Sequence, residues 1–206
     1  MKPTLRLLIV ANNCNWLSWP KKIENIKRYF APKIDLEVDL MYTNYGSIPF
    51  VKYNSGDPTS KNAYGVDEEW YKFSVSGFSH SHDIILFVMP LSEWLVPNDS
   101  RGWRTKRRNG TIELQVGADE LENIYIDQKL MYSTFEHYSE HEIIHALYMI
   151  TEQEDKTHYY DYTVKNLAGA FDDINFKNSS EGRQRLTIPL LKKIVELYNQ
   201  LKKKLQ

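Results

Sequence analysis

The sequence predicts an α/β (α+β) domain, a sheet-rich part over residues 1–132 followed by a mostly helical part over 133–206. Three observations carry this. Short apolar runs of strand length recur in the first part, turn-forming residues separate them, and uninterrupted helical patterns dominate the second. At 206 residues the chain is read as one compact domain.

The elements follow in order. Leu5 to Ala11, LRLLIVA, is a short, nearly continuous apolar run of a buried strand. In SWPKKIENIKRYF, Ser18 is placed to cap a helix with Pro20 in its first turn, and Ile23, Ile26 and Phe30 recur at helical spacing. Ala31-Pro32 stops that helix. Ile34 to Tyr42 alternates apolar and acidic residues, a half-buried strand that completes a β-α-β opening. Thr43 to Ala63 is rich in Gly, Pro, Asn and Ser and reads as a long loop. A short helix is expected from Asp67, and His82 to Pro90 is the clearest buried strand. Asn109-Gly110 followed by TIELQV is a hairpin signal, and Asn123 to Asp127 is one more short strand.

STFEHYSEHEIIHALYMI then reads as one long helix, with Ser133 or Thr134 as its cap and Glu136 in its first turn. After an irregular stretch, TIPLLKKIVELYNQLKKKLQ is a closing amphipathic helix. Ile188, Leu191, Ile194, Tyr198, Leu201 and Leu205 share one of its faces. No internal repeat and no low-complexity tract is present.

Composition narrows the function classes. A net charge of −1 gives no global electrostatic case for nucleic acid or an anionic membrane. The basic run Arg101 to Gly110 is too short to change that, and reads as a solvated hairpin arm or a cleft rim. Cys14 is the only cysteine, so an intrachain disulfide and a cysteine-rich zinc knot are excluded. Arg6 interrupts the first apolar run, which reads as a strand and not a signal peptide. No segment approaches the roughly 18 apolar residues of a membrane span. The chain therefore reads as cytoplasmic. Fourteen tyrosines and five tryptophans fit either a core with polar tips at its rim or a binding cleft.

The chemistry concentrates in the long helix. His141-Glu142-x-x-His145 fits the HExxH pattern. Residues four apart stack on one helix face, so both imidazoles can reach one ion. Glu142 sits next door, able to approach a metal-bound water without ligating the ion. Zinc lowers that water's pKa toward ~7, and a carboxylate can then take its proton as it attacks a carbonyl. Ile143, Ile144, Leu147 and Ile150 surround the motif, which is more apolar than a surface helix with two stray histidines.

HEIIHAL, after a sheet-like region and a short strand, resembles the zincin metallopeptidases. The resemblance covers Leu5 to Tyr162 in element order and only this helix in specific residues. It implies a twisted mixed sheet over an active-site helix, with an edge strand that pairs with extended substrate. It maps His141 and His145 to zinc ligands and Glu142 to the general base of peptide-bond hydrolysis. The partner implied is a peptide or protein substrate; oligomeric state stays open. The longer metzincin pattern fails, because Tyr148 and Thr151 stand where its Gly and His are required and no Met follows Met149.

The third ligand is therefore sought in EDKTHYYDY. His158 lies thirteen positions beyond His145, room for the helix to end near Thr151 and the chain to turn back. Asp155 and Asp161 would then orient the other ring nitrogen of His158, or one of them would itself be the ligand. Glu181 and Glu196 are more distant alternatives. His137, one helical turn before His141, reads as an outer partner of the site or an exposed residue. His80 and His82 offer a second, weaker metal-like pair, and Cys14 reads as buried filler. The rival reading is a zincin-like binding or structural module without turnover.

Overall fold

The computed structural model describes residues 2–44, 50–53, 63–67, 69, 71, 82–90, 102–106, 111–118, 123–126, 129–160 and 164–175. Its centre is a five-stranded mixed sheet. The strands are β1 (Thr4–Asn12), β2 (Asp35–Thr43), β5 (Ile84–Pro90), β6 (Gly102–Lys106) and β7 (Ile112–Ala118), in the spatial order β2-β1-β5-β7-β6. Four run parallel; β6 is antiparallel to β7 and forms one edge. Helix α1 (Trp19–Phe30) makes the crossover from β1 to β2.

The strand sequences show why the sheet has two covers. In β1, Leu5, Leu7, Ile9 and Ala11 point to one face, as do Ile84, Leu86 and Val88 of β5 and Ile112, Leu114 and Val116 of β7. That face packs against Trp19, Ile26 and Phe30 of α1, against Phe135, Ile143 and Leu147 of α2 (Thr134–Ile150), and against Leu167 and Phe171 of α3 (Val164–Asp173). The alternate residues Leu8, Val10, Ile85, Phe87 and Met89 form a second cluster with Val66 and Tyr71. Parallel strands buried on both faces read as continuous apolar runs, which is why β1 and β5 were so plain in the sequence.

Two expectations are corrected. The stretch from Thr43 to Ala63 is not one long loop: β3 (Phe50–Tyr53) pairs antiparallel with β4 (Ala63–Val66). This hairpin is pinned to the second face, where fully buried Glu113 accepts the Val66 N–H at 2.9 Å and Gln115 Nε2 at 2.8 Å. The short strand expected near Asn123 is present as β8 (Asn123–Ile126), and it pairs with β9 (Lys129–Ser133). The stretch before the closing helix is not wholly irregular, since it contains α3. Gly169 sits inside α3 because a Cβ there would meet the Tyr160 ring at 3.1 Å. Lys33 Nζ donates to the carbonyls of Phe171, Asp172 and Ile174, placing a cation on the negative end of α3.

Ser18 stands at the α1 N-cap without a side-chain cap bond, and Pro20 lies in the first turn. Asp67 opens a helical turn, with Tyr71 N–H donating to its carbonyl at 2.9 Å. The Asn109-Gly110 turn, the rest of that short helix and the expected closing helix fall outside the described residues. Among the described residues no helix is long and apolar enough to cross a membrane.

Candidate metal centre

Helix α2 packs on β7 and β6 and touches both α1 and α3. It is therefore enclosed, and from Phe135 to Ile150 no residue is exposed. His141 and His145 are 5 % and 2 % exposed, on the helix face their four-residue spacing defines. Glu142, one step along the helix and about 100° around it, is also buried.

The helix ends in a motif that returns the chain to this face. Glu152 adopts φ 56°, the left-handed region that non-glycine residues enter only rarely. Around it, Gln153 N–H donates to the Tyr148 carbonyl at 3.0 Å and Glu152 N–H to the Met149 carbonyl at 3.3 Å. This pair of bonds is a Schellman closure, and it satisfies carbonyls that a helix end leaves open. The chain then runs back to a single 3₁₀ turn, Thr157–Tyr159, which carries His158.

The returning segment is fastened to α3. Gln153 and Asn175 exchange two hydrogen bonds, at 3.0 and 3.3 Å, and Lys156 lies 3.5 Å from Asp173. Tyr160 rests against Gly169. Tyr148, on α2, donates its hydroxyl to the Ala170 carbonyl at 3.0 Å.

These turns bring His141, His145 and His158 together. One ring nitrogen from each lies within 4.8 Å of the others, close enough to hold a metal ion. The His141 and His145 Nε2 atoms are 3.0 Å apart, a separation at which two imidazoles share one proton or one cation. A tetrahedral zinc with bonds near 2.0–2.1 Å sets its ligand nitrogens about 3.3 Å apart. The His141–His145 pair stands near that spacing, and a His158 ring nitrogen lies within 4.8 Å of both. His158 is exposed, so the group opens toward solvent on the side of the third ligand.

Asp155 makes a contact with the second histidine that the sequence did not predict. Its Oδ2 lies 2.7 Å from His145 Nδ1, and its Oδ1 accepts the Thr157 N–H at 3.0 Å. The Schellman closure brings Asp155 beside His145 before the chain reaches His158, and this sets the pairing. Asp161, Glu181 and Glu196 fall outside the described residues, as does His80.

The other candidates resolve as follows. His137 is not an exposed residue: it is 2 % exposed, and burial pushes it down to about 4, so it is neutral. Glu140, on the α1 side of the helix, is pushed up to about 8, first by burial and then by the charge of Glu136 one turn away. Glu136 is held by Asn25 Nδ2 at 2.6 Å and by Lys22 Nζ at 3.7 Å. His82 pairs with Asp39 at 2.8 Å and joins no metal-binding group among the described residues. Cys14 is buried in the core. Tyr159 is exposed at the turn of His158. Sequence reasoning missed the Asp155–His145 contact, whose only signal was a carboxylate ten residues after the second histidine.

No family model, curated protein or solved structure matches the chain.

Proposed function

We propose that this chain is a zinc-dependent metallopeptidase of zincin type, with His141, His145 and His158 as the metal ligands and Glu142 as the general base. The observation that carries the reading is the meeting of three imidazoles beside the HExxH glutamate. Two ligands come from one helical turn and the third from a chain reversal. Three neutral imidazoles without a thiolate suit zinc and leave a fourth position for substrate.

A zinc ion held there supplies Lewis acidity, polarising a peptide carbonyl and lowering the pKa of a water toward ~7. The protein's own groups do the rest. The imidazoles are fixed by burial on α2 and by the turn at 157–159. The Glu142 carboxylate takes the proton of the attacking water and passes it to the leaving amine nitrogen. The sheet also supports the reading. Antiparallel β6 is its edge strand and packs beside α2, so an extended peptide would pair there by β-augmentation.

Purified protein should carry close to one zinc per chain. It should hydrolyse members of a mixed peptide library, and a chelator should stop it. Glu142→Gln should keep the zinc and lose at least ~100-fold in hydrolysis, the scale of a positioned general base. Protein that takes up no zinc sinks the metal reading. Zinc without turnover in the wild type favours a binding module instead.

A further inference from the structure

We propose that Asp155 is the positioning residue of this centre, with one carboxylate oxygen serving each of two ligands; this rests on the metal reading above. Its first contact decides a tautomer. An ionised carboxylate only accepts hydrogen bonds. At 2.7 Å from Asp155 Oδ2, neutral His145 therefore carries its proton on Nδ1. The Nε2 lone pair is left facing His141 and His158, as a metal ligand requires.

The second contact decides a position. Oδ1 accepts the N–H of Thr157, the first residue of the turn that presents His158. A three-residue turn has almost no stability of its own, because it fixes several dihedrals for very few hydrogen bonds. No side chain caps it at Lys156. The Asp155 bond at its start, together with the fastening of this segment to α3, sets where His158 stands. The Asp155 side chain is only 19 % exposed, so water competes weakly for either oxygen. One carboxylate thus orients the second ligand and delivers the third. Removing the whole carboxylate should therefore disturb the second and third ligands together.

Asparagine separates these roles. In Asp155→Asn the amide oxygen can keep the Thr157 N–H, while the amide NH₂ faces His145. The ring must then accept at Nδ1 and carry its proton on Nε2, where it blocks metal binding. Asp155→Ala loses both contacts.

The test uses the full chain with ¹⁵N-labelled histidine, first without metal and then titrated with zinc against a chromophoric chelator. Long-range ¹H–¹⁵N spectra of the metal-free wild type should show His145 protonated on Nδ1. In Asp155→Asn they should show it protonated on Nε2. Zinc affinity should fall by about 100-fold in that variant, the upper range for an outer partner of a ligand. Its circular dichroism and the exchange protection of the 157–159 amides should stay as in the wild type. Asp155→Ala should lose affinity and that protection together. A metal-free wild type with the proton on Nε2 overturns the proposal whether or not any variant folds. So does an Asp155→Asn protein that binds zinc as tightly as the wild type. A wild type that binds no zinc brings down the metal reading and this proposal with it.

Discussion

Helices α1 and α2 pack side by side on the same sheet face, yet their sequences obey different rules. In α1, Trp19, Ile26 and Phe30 make the apolar stripe, and Glu24 and Arg28 form an exposed pair at 2.9 Å. Packing and solvent account for every position except Lys22 and Asn25, which both reach Glu136 of α2. In α2, Glu136, His137, Ser139, Glu140, His141, Glu142 and His145 are all buried. Burying a polar group costs free energy unless it is bonded, and apolar residues would fill this space more cheaply. A helix that keeps seven polar residues buried is shaped by something besides stability. The contrast with α1 isolates the site without reference to any motif.

The comparison breaks most sharply in a matched pair of variants. Phe30→Ala in α1 should cost about 3–5 kcal/mol of unfolding free energy, the range for emptying a buried aromatic site. The folded fraction should still bind zinc as the wild type does. His141→Leu in α2 should do the reverse. It should abolish zinc binding while the metal-free protein unfolds within ~1 kcal/mol of the wild type, because an apolar side chain replaces a buried polar one. Denaturant titration and metal analysis on the same samples decide it. If Phe30→Ala loses zinc from folded protein, the two helices do not differ in the way described.

A smaller effect concerns acid. Burial lowers His137 from 6.5 to about 4 in the folded protein. The unfolded chain therefore takes up a proton there first as pH falls. Stability from this group is fully present above pH 6.5 and is lost as pH drops toward 4. Roughly 2–3 kcal/mol is involved. In His137→Leu that part of the acid slope of the metal-free protein should vanish. An unchanged slope in urea titrations between pH 7 and 4 counts against a neutral buried His137. The smallest effect belongs to the exposed face of α1. Arg28→Ala removes a solvent-screened pair and should shift stability by less than ~0.5 kcal/mol. A larger loss there would mean that the outer face of α1 is less ordinary than it looks.

What could be read from the sequence follows the same division. Strands β1, β2, β5 and β7 and helices α1 and α2 were legible because burial imposes its period on the residues themselves. Strands β3 and β4 were not. Each is four residues long, in a stretch where Gly, Pro and Asn favour turns, and their strand character comes from pairing with each other. Helix α3 carried a usable signal in Leu167, Ala170 and Phe171, at helical spacing, but Gly169 in its middle argued against a helix. Its need for glycine is a tertiary fact, the Tyr160 ring. In the site, His141 and His145 were fixed by helix geometry alone. His158 was reachable by chain length. The partner of Asp155 was not, since it depends on a left-handed Glu152 that no residue preference marks.

The strand order has a consequence for biosynthesis. Strand β1 lies between β2 and β5, and its pairing with β5 spans about as much chain as the Arg6–Asp83 contact, 77 residues apart. While the chain emerges from a ribosome, β1, α1 and β2 come out together, but one edge of β1 stays open. At ~5–20 residues per second that interval lasts on the order of 4–15 s. An apolar strand with an unpaired edge is a template for aggregation, and non-local pairing of this kind is slow. The waiting strand is LRLLIVA, the most apolar stretch near the start of the chain. Pulse-labelled hydrogen exchange during refolding should find the β1 amides that face β5 protected no earlier than β5 itself. The β1–β2 ladder should close first.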